Sequence, residues 1–272
     1  MEALISAIVF SEAAVSVVLI WLFGYTPLKA LLVSSALIAA YLLFACSCKA
    51  VSVLMARSLG MYRDAEKEEL VKRIMDRYGL WKHAPDDLEI RIIKRDDVNA
   101  CAVWKNVMGI NTGLLERATE AEVAGVIGHE LGHLRYGDGV CSVCAWGLFA
   151  PGAHAFTFVA LLVSGAFSLI FGIFLGERLT VALTAVVFTV SAMLSKLCTV
   201  FMMARSRRCE HRADLFSAAI SPEVRDGLVS LLKKDAELIP GRPGLYTKLY
   251  GTHPHPQERI RRITEGVAAV EG

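Results

Sequence analysis

The sequence predicts an α+β membrane protein: two transmembrane helical hairpins, four spans in all, interleaved with the two halves of a mainly helical cytoplasmic domain that contains a small β-sheet. Three observations predict it. Of 272 residues, 54% are hydrophobic and only 21% are charged, too apolar a mixture for one ordinary soluble domain. The apolar residues gather in four long runs, each near the roughly 20 residues a helix needs to cross the hydrocarbon layer. The polar remainder shows helical and strand periodicities by turns. Lys and Arg number 29 against 27 Asp and Glu, a net charge of +2, so no basic surface argues for nucleic acid as a partner. The apolar content also excludes disorder.

Residues 1–52 form the first hairpin. Its first run extends from Leu4 to Phe23 with only Glu12 charged, Gly24, Tyr25, Thr26 and Pro27 supply the turn, and Leu31 to Cys48 is uncharged before Lys49. No role is assigned to Glu12. Met1 and Glu2 give no basic leader and no A-x-A site follows the run, so this segment reads as retained rather than as a signal peptide.

Residues 53–139 carry the first half of the polar domain. Leu70, Ile74 and Met75 give Asp64 to Tyr78 a helical face that Gly79 ends. Leu88 to Ile93 alternates as a strand, and Ala100 to Trp104 with Val107 to Ile110 makes a hairpin around Lys105 and Asn106. Thr119, with Glu122 three residues on, opens a helix through a capping box, and Gly137 closes it.

Residues 140–204 form the second hairpin, with runs Ala155 to Leu175 and Leu179 to Met203 joined by Gly176, Glu177 and Arg178; Lys196 snorkels to an interface. Residues 205–272 complete the polar domain: a helix through Glu210 to Ile220, a second opened by Ser221 and Pro222 and running to about Leu238, and a last through Gln257 to Val267. Lys49, Arg57, Arg205, Arg207 and Arg208 flank the polar halves, whereas the hairpin turns carry only Lys29 and Arg178. The positive-inside bias therefore puts the domain on the cytoplasmic side of the cell membrane. Seven cysteines make an odd, scattered set that reads as reduced, with Cys141 and Cys144 as small buried residues rather than a redox pair.

The chemistry lies in the helix after Thr119. His129, Glu130, Leu131, Gly132 and His133 spell H-E-x-x-H, and an i to i+4 spacing puts both imidazoles on one face, suited to one Zn²⁺ per chain. Glu130 lies one residue off that face, where a general base can reach an activated water without being a ligand. Downstream, Glu210, His211, Arg212, Ala213 and Asp214 read E-x-x-A-D. Glu210 is the expected third ligand, and Asp214, one turn on, is expected to orient a liganding His. His211 competes for the ligand role but points about 100° away around the helix. The alternative is that both histidines are satisfied core residues and Glu130 a helix-surface acid.

These motifs, in order around two spans and followed by Thr252, His253, Pro254, Arg259 and Ile260, resemble the HtpX family of membrane zinc endopeptidases. Asn99 and Ala100 are similar to that family's N-A-F element, with Cys101 replacing the aromatic residue, and Gly113, Leu114 and Leu115 resemble the segment that leads into the zinc helix. The resemblance implies a zincin-like cytoplasmic domain and hydrolysis of peptide bonds in misfolded membrane proteins, a quality-control and stress-response role. It implies that His253 stabilises the oxyanion, with Tyr246 and Tyr250 as further candidates. A substrate strand would add to the edge at Asn99 to Val103, with Asn99 and Ala100 binding it. Asp138 departs from the family pattern and is given no function; His83 and His154 read as packing or interfacial residues. The partners implied are protein or peptide substrates and the lipid bilayer. The more distant CAAX prenyl proteases share the zinc motifs but have more spans, so a processing protease for prenylated C-termini is the enzyme alternative. A non-catalytic, zinc-stabilised membrane scaffold is the other.

Overall fold

The computed structural model describes residues 11–13, 15–20, 24–47, 49–142, 144–145, 148, 181–182, 185–186, 189–190, 192–193, 196–238 and 253–271. The chain divides into two compact units, Met1–Ser47 with Cys141–Met202, and Cys48–Val140 with Met203–Gly272.

In the first unit, Pro27 occupies the first position of α1 (Pro27–Ser47), where its missing N–H costs nothing. Polar side chains tie α1 to the helical residues before it: the Ser16 and Ser34 hydroxyls lie 2.8 Å apart, and Ser35 donates to Glu12. Ile38, Ala145, Leu148 and Met202 make a small core. Leu28, Leu31, Leu32, Leu37 and Leu43 of α1 are exposed, as are Val181, Val186, Val190, Met193 and Leu197. Among the described residues no helix is long and apolar enough to cross a membrane. The expected run from Ala155 to Leu175 lies outside the described residues, as do parts of the first and fourth runs.

The second unit is mainly helical with one small sheet. Its elements are α2 (Lys49–Ser58), β1 (Met61–Tyr62), α3 (Ala65–Arg77), a 3-10 turn (Leu80–His83), β2 (Glu89–Ile93), β3 (Ala100–Val103), β4 (Val107–Asn111), α4 (Thr112–Arg117), α5 (Glu120–Tyr136), α6 (203–218, the part in this unit of a helix described from residue 196), α7 (Pro222–Leu238) and α8 (Pro256–Glu271). Asp64 caps α3 by accepting the Lys67 N–H. The face of α3 that carries Val71, Ile74 and Met75 enters the main core with Ile92, Met108 and Ile110 of the sheet and Ile127 and Leu131 of α5. At about 1.5–3 kcal/mol for each fully buried aliphatic side chain, this cluster holds the sheet against α3 and α5.

Strand order is β1-β2-β4-β3. β3 and β4 pair antiparallel with Cys101 opposite Gly109, the hairpin expected from sequence. β4 also lies parallel to β2, with Ile92 opposite Ile110, a non-local pairing that pushes β3 to the edge. β1 is a two-residue strand antiparallel to β2, too short for any periodicity to reveal.

The helix α5 begins as the sequence predicts. Thr119 Oγ1 accepts the Glu122 N–H while the Glu122 carboxylate accepts the Thr119 N–H. Glu122 is buried and also accepts from Ser230 Oγ at 2.7 Å and Lys234 Nζ at 2.8 Å, so α7 is pinned across the start of α5. Burial opposes its charge, but the Lys234, Ser230 and Thr119 donors outweigh it and hold the Glu122 carboxyl at about 2.

Candidate metal centre

The helix that carries His129 and His133, α5, packs against α6 and α7 at backbone distance. A Cβ on Gly125 would stand 2.4 Å from the Leu228 backbone nitrogen, one on Gly128 2.6 Å from Ser217 Oγ, and one on Gly132 2.9 Å from Ala213 Cα. Their spacing of three and four puts these hydrogens on one face of α5, and Ser217 Oγ donates to the Gly125 carbonyl at 2.8 Å. The close approach carries Glu210, one turn before Ala213, up to the two histidines.

His129 Nε2 and His133 Nε2 lie 3.1 Å apart. Glu210 Oε2 is 3.5 Å from His129 Nε2, and Glu210 Oε1 is 3.3 Å from His133 Nε2. Ligands about 2.0–2.1 Å from a tetrahedral zinc ion are separated by about 3.3 Å, so each of these separations, one Glu210 oxygen to each histidine, is of the size found between zinc ligands. The donor set fits as well. Two imidazole nitrogens face each other at hydrogen-bond distance, with the buried Glu210 carboxylate beside them. These three residues form the cluster able to hold a metal ion among the described residues.

Each histidine is held from behind by a carboxylate. Asp214 Oδ1 is 2.9 Å from His129 Nδ1 and Asp138 Oδ2 is 3.0 Å from His133 Nδ1, which leaves both Nε2 lone pairs for the centre. Arg259 grips Asp214 with two bonds, Nε to Oδ2 at 2.8 Å and Nη2 to Oδ1 at 2.6 Å. Burial raises the Asp214 carboxyl, but Arg259 and His129 outweigh it and hold it at about 2. Burial likewise opposes charge on Glu210, yet His129, His133 and His253 hold it far below the usual carboxylate range. Burial lowers the His133 imidazole, but Asp138, Glu210 and Glu130 push it up to about 10. The cluster thus carries a strong negative field that favours a cation.

Glu130 is buried beside the triangle, and its Oε2 accepts the Ala102 N–H at 2.6 Å. Asn99 pairs with β4 through the Asn111 N–H at 3.1 Å, so in the alternating antiparallel pattern Ala100 and Ala102 turn their N–H and C=O groups to the free edge. The Ala100 N–H is bonded to Asn99 Oδ1 at 2.9 Å. His253 is exposed, with Nδ1 2.8 Å from Glu210 Oε2, so the structure brings it to the outer side of the glutamate. His211 turns instead toward Glu258, 3.6 Å away, and His83 packs edge-on against Phe216. Tyr246, Tyr250 and His154 lie outside the described residues. The structure adds Asp138, Arg212 and Arg259 to the site. Arg259 belongs to the motif after His253, but nothing in its spacing points to Asp214; Asp138 has only its place beyond Gly137.

The model of the family described as Peptidase family M48 matches residues 61–267. The chain is 27% identical over 207 residues to a protein named Protease HtpX homolog from Methylacidiphilum infernorum, covering 64% of this chain and 65% of that one. It is 29% identical over 196 residues to Protease HtpX of Xylella fastidiosa, covering 64% and 65%. The chain therefore spans about 65% of the length of these curated relatives. The crystal structure of S. mikatae Ste24p aligns with a TM-score of 0.53 at 16% identity, over 93% of this chain and 62% of the other, a likeness of fold.

Proposed function

We propose, from the premise that this chain belongs to peptidase family M48, that it is a membrane-integrated zinc endopeptidase. The observation that carries the reading is the convergence of His129 Nε2, His133 Nε2 and the Glu210 carboxylate: the nitrogens lie 3.1 Å apart, with Oε2 3.5 Å from the first and Oε1 3.3 Å from the second. His129, His133 and Glu210 would hold one Zn²⁺, which when bound supplies a Lewis acid and a water acidified toward neutrality.

This chain's own residues do the rest. Glu130 takes the proton of the attacking water and returns it to the leaving amine nitrogen. A substrate strand pairs with the free edge of β3 through the Ala100 and Ala102 carbonyls, displacing Asn99 Oδ1 and Glu130 Oε2 from the two N–H groups as it docks, and Asn99 and Ala100 fix its register. His253 donates to the developing oxyanion, a role supported by its position at the rim of the cluster and by the resemblance to HtpX. Asp214 keeps His129 in its liganding tautomer.

The layout goes with this: 1–52 and 140–204 as membrane hairpins, 53–139 and 205–272 as the two halves of a catalytic domain facing the cytoplasm. The division of the chain into two units supports it, as does the band of outward-facing leucines on α1. A β3 edge that reads backbone more than side chains suits quality control of misfolded membrane proteins. Zinc content and casein cleavage, measured on detergent-purified wild type, Glu130→Gln and Glu210→Ala, test the reading. Wild type should hold about one zinc and cleave, Glu130→Gln should hold zinc without cleaving, and Glu210→Ala should lose both. Cleavage by zinc-loaded Glu130→Gln would remove the general base, and three identical behaviours would leave a scaffold.

A further inference from the structure

Continued as an α-helix, α5 would carry residue 138 about 140° around the axis from His133. Gly137 prevents this. Its φ of 63° ends the helix in the left-handed region, with its N–H returned to the His133 and Leu134 carbonyls, and the chain turns Asp138 back toward the His133 ring. There the Asp138 carboxylate is only 5% exposed. Oδ2 accepts from His133 Nδ1 at 3.0 Å, and Oδ1 accepts from Arg212 Nη2. The Arg212 guanidinium carbon lies over the ring of Tyr136, the last residue of α5, 4.1 Å from its centroid.

This arrangement repeats, with different residues, the one behind the other histidine: ring nitrogen, buried carboxylate, arginine. In one case Arg259 of α8 closes on Asp214, in the other Arg212 of α6 closes on Asp138. Arg212 follows Glu210 by two residues, so the second relay also ties the helix of the third ligand to the end of the helix of the first two.

We propose that Asp138 and Arg212 are positioning residues of the metal centre, Asp138 fixing the tautomer and orientation of His133 and Arg212, seated over Tyr136, bracing Asp138. The inference rests on the zinc reading given above. Asp138 accepts the Nδ1–H of His133, so the Nε2 lone pair is directed at the centre, and its charge makes that nitrogen a better donor. A bridge that merely pinned α5 to α6 would affect folding and leave the centre alone.

The test is zinc affinity by chelator competition on the detergent-purified full chain, with the visible absorption of the Co²⁺-substituted protein and the melting of zinc-free protein measured alongside. Asp138→Ala should bind zinc about 10–100-fold more weakly and change the Co²⁺ spectrum. Asp138→Asn, whose amide oxygen still accepts the Nδ1–H, should lose less, and Arg212→Gln should lose several-fold. Should Asp138→Ala fail to fold, Asp138→Asn and Arg212→Gln decide. Affinities within twofold of wild type and unchanged Co²⁺ spectra, with Glu210→Ala still losing zinc, would overturn the positioning role and leave the metal centre standing. Equal binding by wild type and Glu210→Ala would overturn the centre itself, and this inference with it.

Discussion

Replacing Gly132 with alanine should separate the proposed metal ligands without touching any of them. The added Cβ would stand 2.9 Å from Ala213 Cα, 3.2 Å from its Cβ and 3.3 Å from its carbonyl oxygen. Carbon atoms rest about 3.5–4.0 Å apart, so α6 must retreat by about 0.5–1 Å, and Glu210, one turn away on that helix, goes with it. Its oxygens, now 3.3 and 3.5 Å from the two ring nitrogens, would open to about 4 Å, whereas metal–ligand distances tolerate only about 0.2 Å. Zinc affinity should therefore fall about tenfold or more. Overpacking costs about 1–3 kcal/mol, but alanine regains about 1 kcal/mol of helix propensity, so the zinc-free protein should change by only about 0–2 kcal/mol. Gly79→Ala is the matched control. Gly79 has a φ of +63° with nothing within 4 Å of the added atom, so this change costs about 1–2 kcal/mol of backbone strain at no cost in zinc. Chelator competition and denaturant melts on both variants read the difference. Wild-type zinc affinity in folded Gly132→Ala would refute the claim that backbone contact between α5 and α6 sets the ligand distances.

Three further outcomes follow from the same geometry. Glu122→Gln should destabilise the protein by about 1–2 kcal/mol at pH 7, the exposed Lys234 partner being screened. Because the folded carboxyl is depressed from 4.5 to about 2, its contribution is present above about pH 4.5 and lost as pH falls through about 2, so the wild-type and variant stability curves should converge there. Arg259→Gln leaves the buried Asp214 carboxylate short of its forked partner and should cost about 3–5 kcal/mol in denaturant melts; Arg259→Lys should restore little, since an ammonium cannot supply the two parallel bonds. Cysteines introduced beside Arg57 and Arg208 should resist impermeant thiol reagents on intact cells, and labelling there would reverse the proposed orientation.

What could be read from sequence was what local rules encode. Thr119 and Glu122 announce a capping box and Gly137 a stop, and α5 runs between them. His129, His133 and Glu210 carry side-chain chemistry at helical spacings, and the structure brings them together. What escaped depends on contacts between distant segments. The parallel pairing of β2 with β4 leaves no trace in either strand's pattern. Asp138 falls off the ligand face by helical geometry and returns only through the left-handed turn at Gly137. Nothing in the spacing of Arg212 or Arg259 names its carboxylate, and Gly125, Gly128 and Gly132 look like weak points of a helix until α6 and α7 are laid against them.

The centre is assembled from pieces far apart in the chain, with His129 and His133 before residues 141–202 and Glu210, Asp214 and Arg259 after them. A ribosome adding about 5–20 residues per second needs roughly 4–15 seconds to travel from His133 to Glu210. For that interval the nascent polypeptide owns only two of the three residues of the cluster. A product truncated before Glu210 would lack the third member of the cluster and, on the zinc reading proposed above, could not cleave its neighbours.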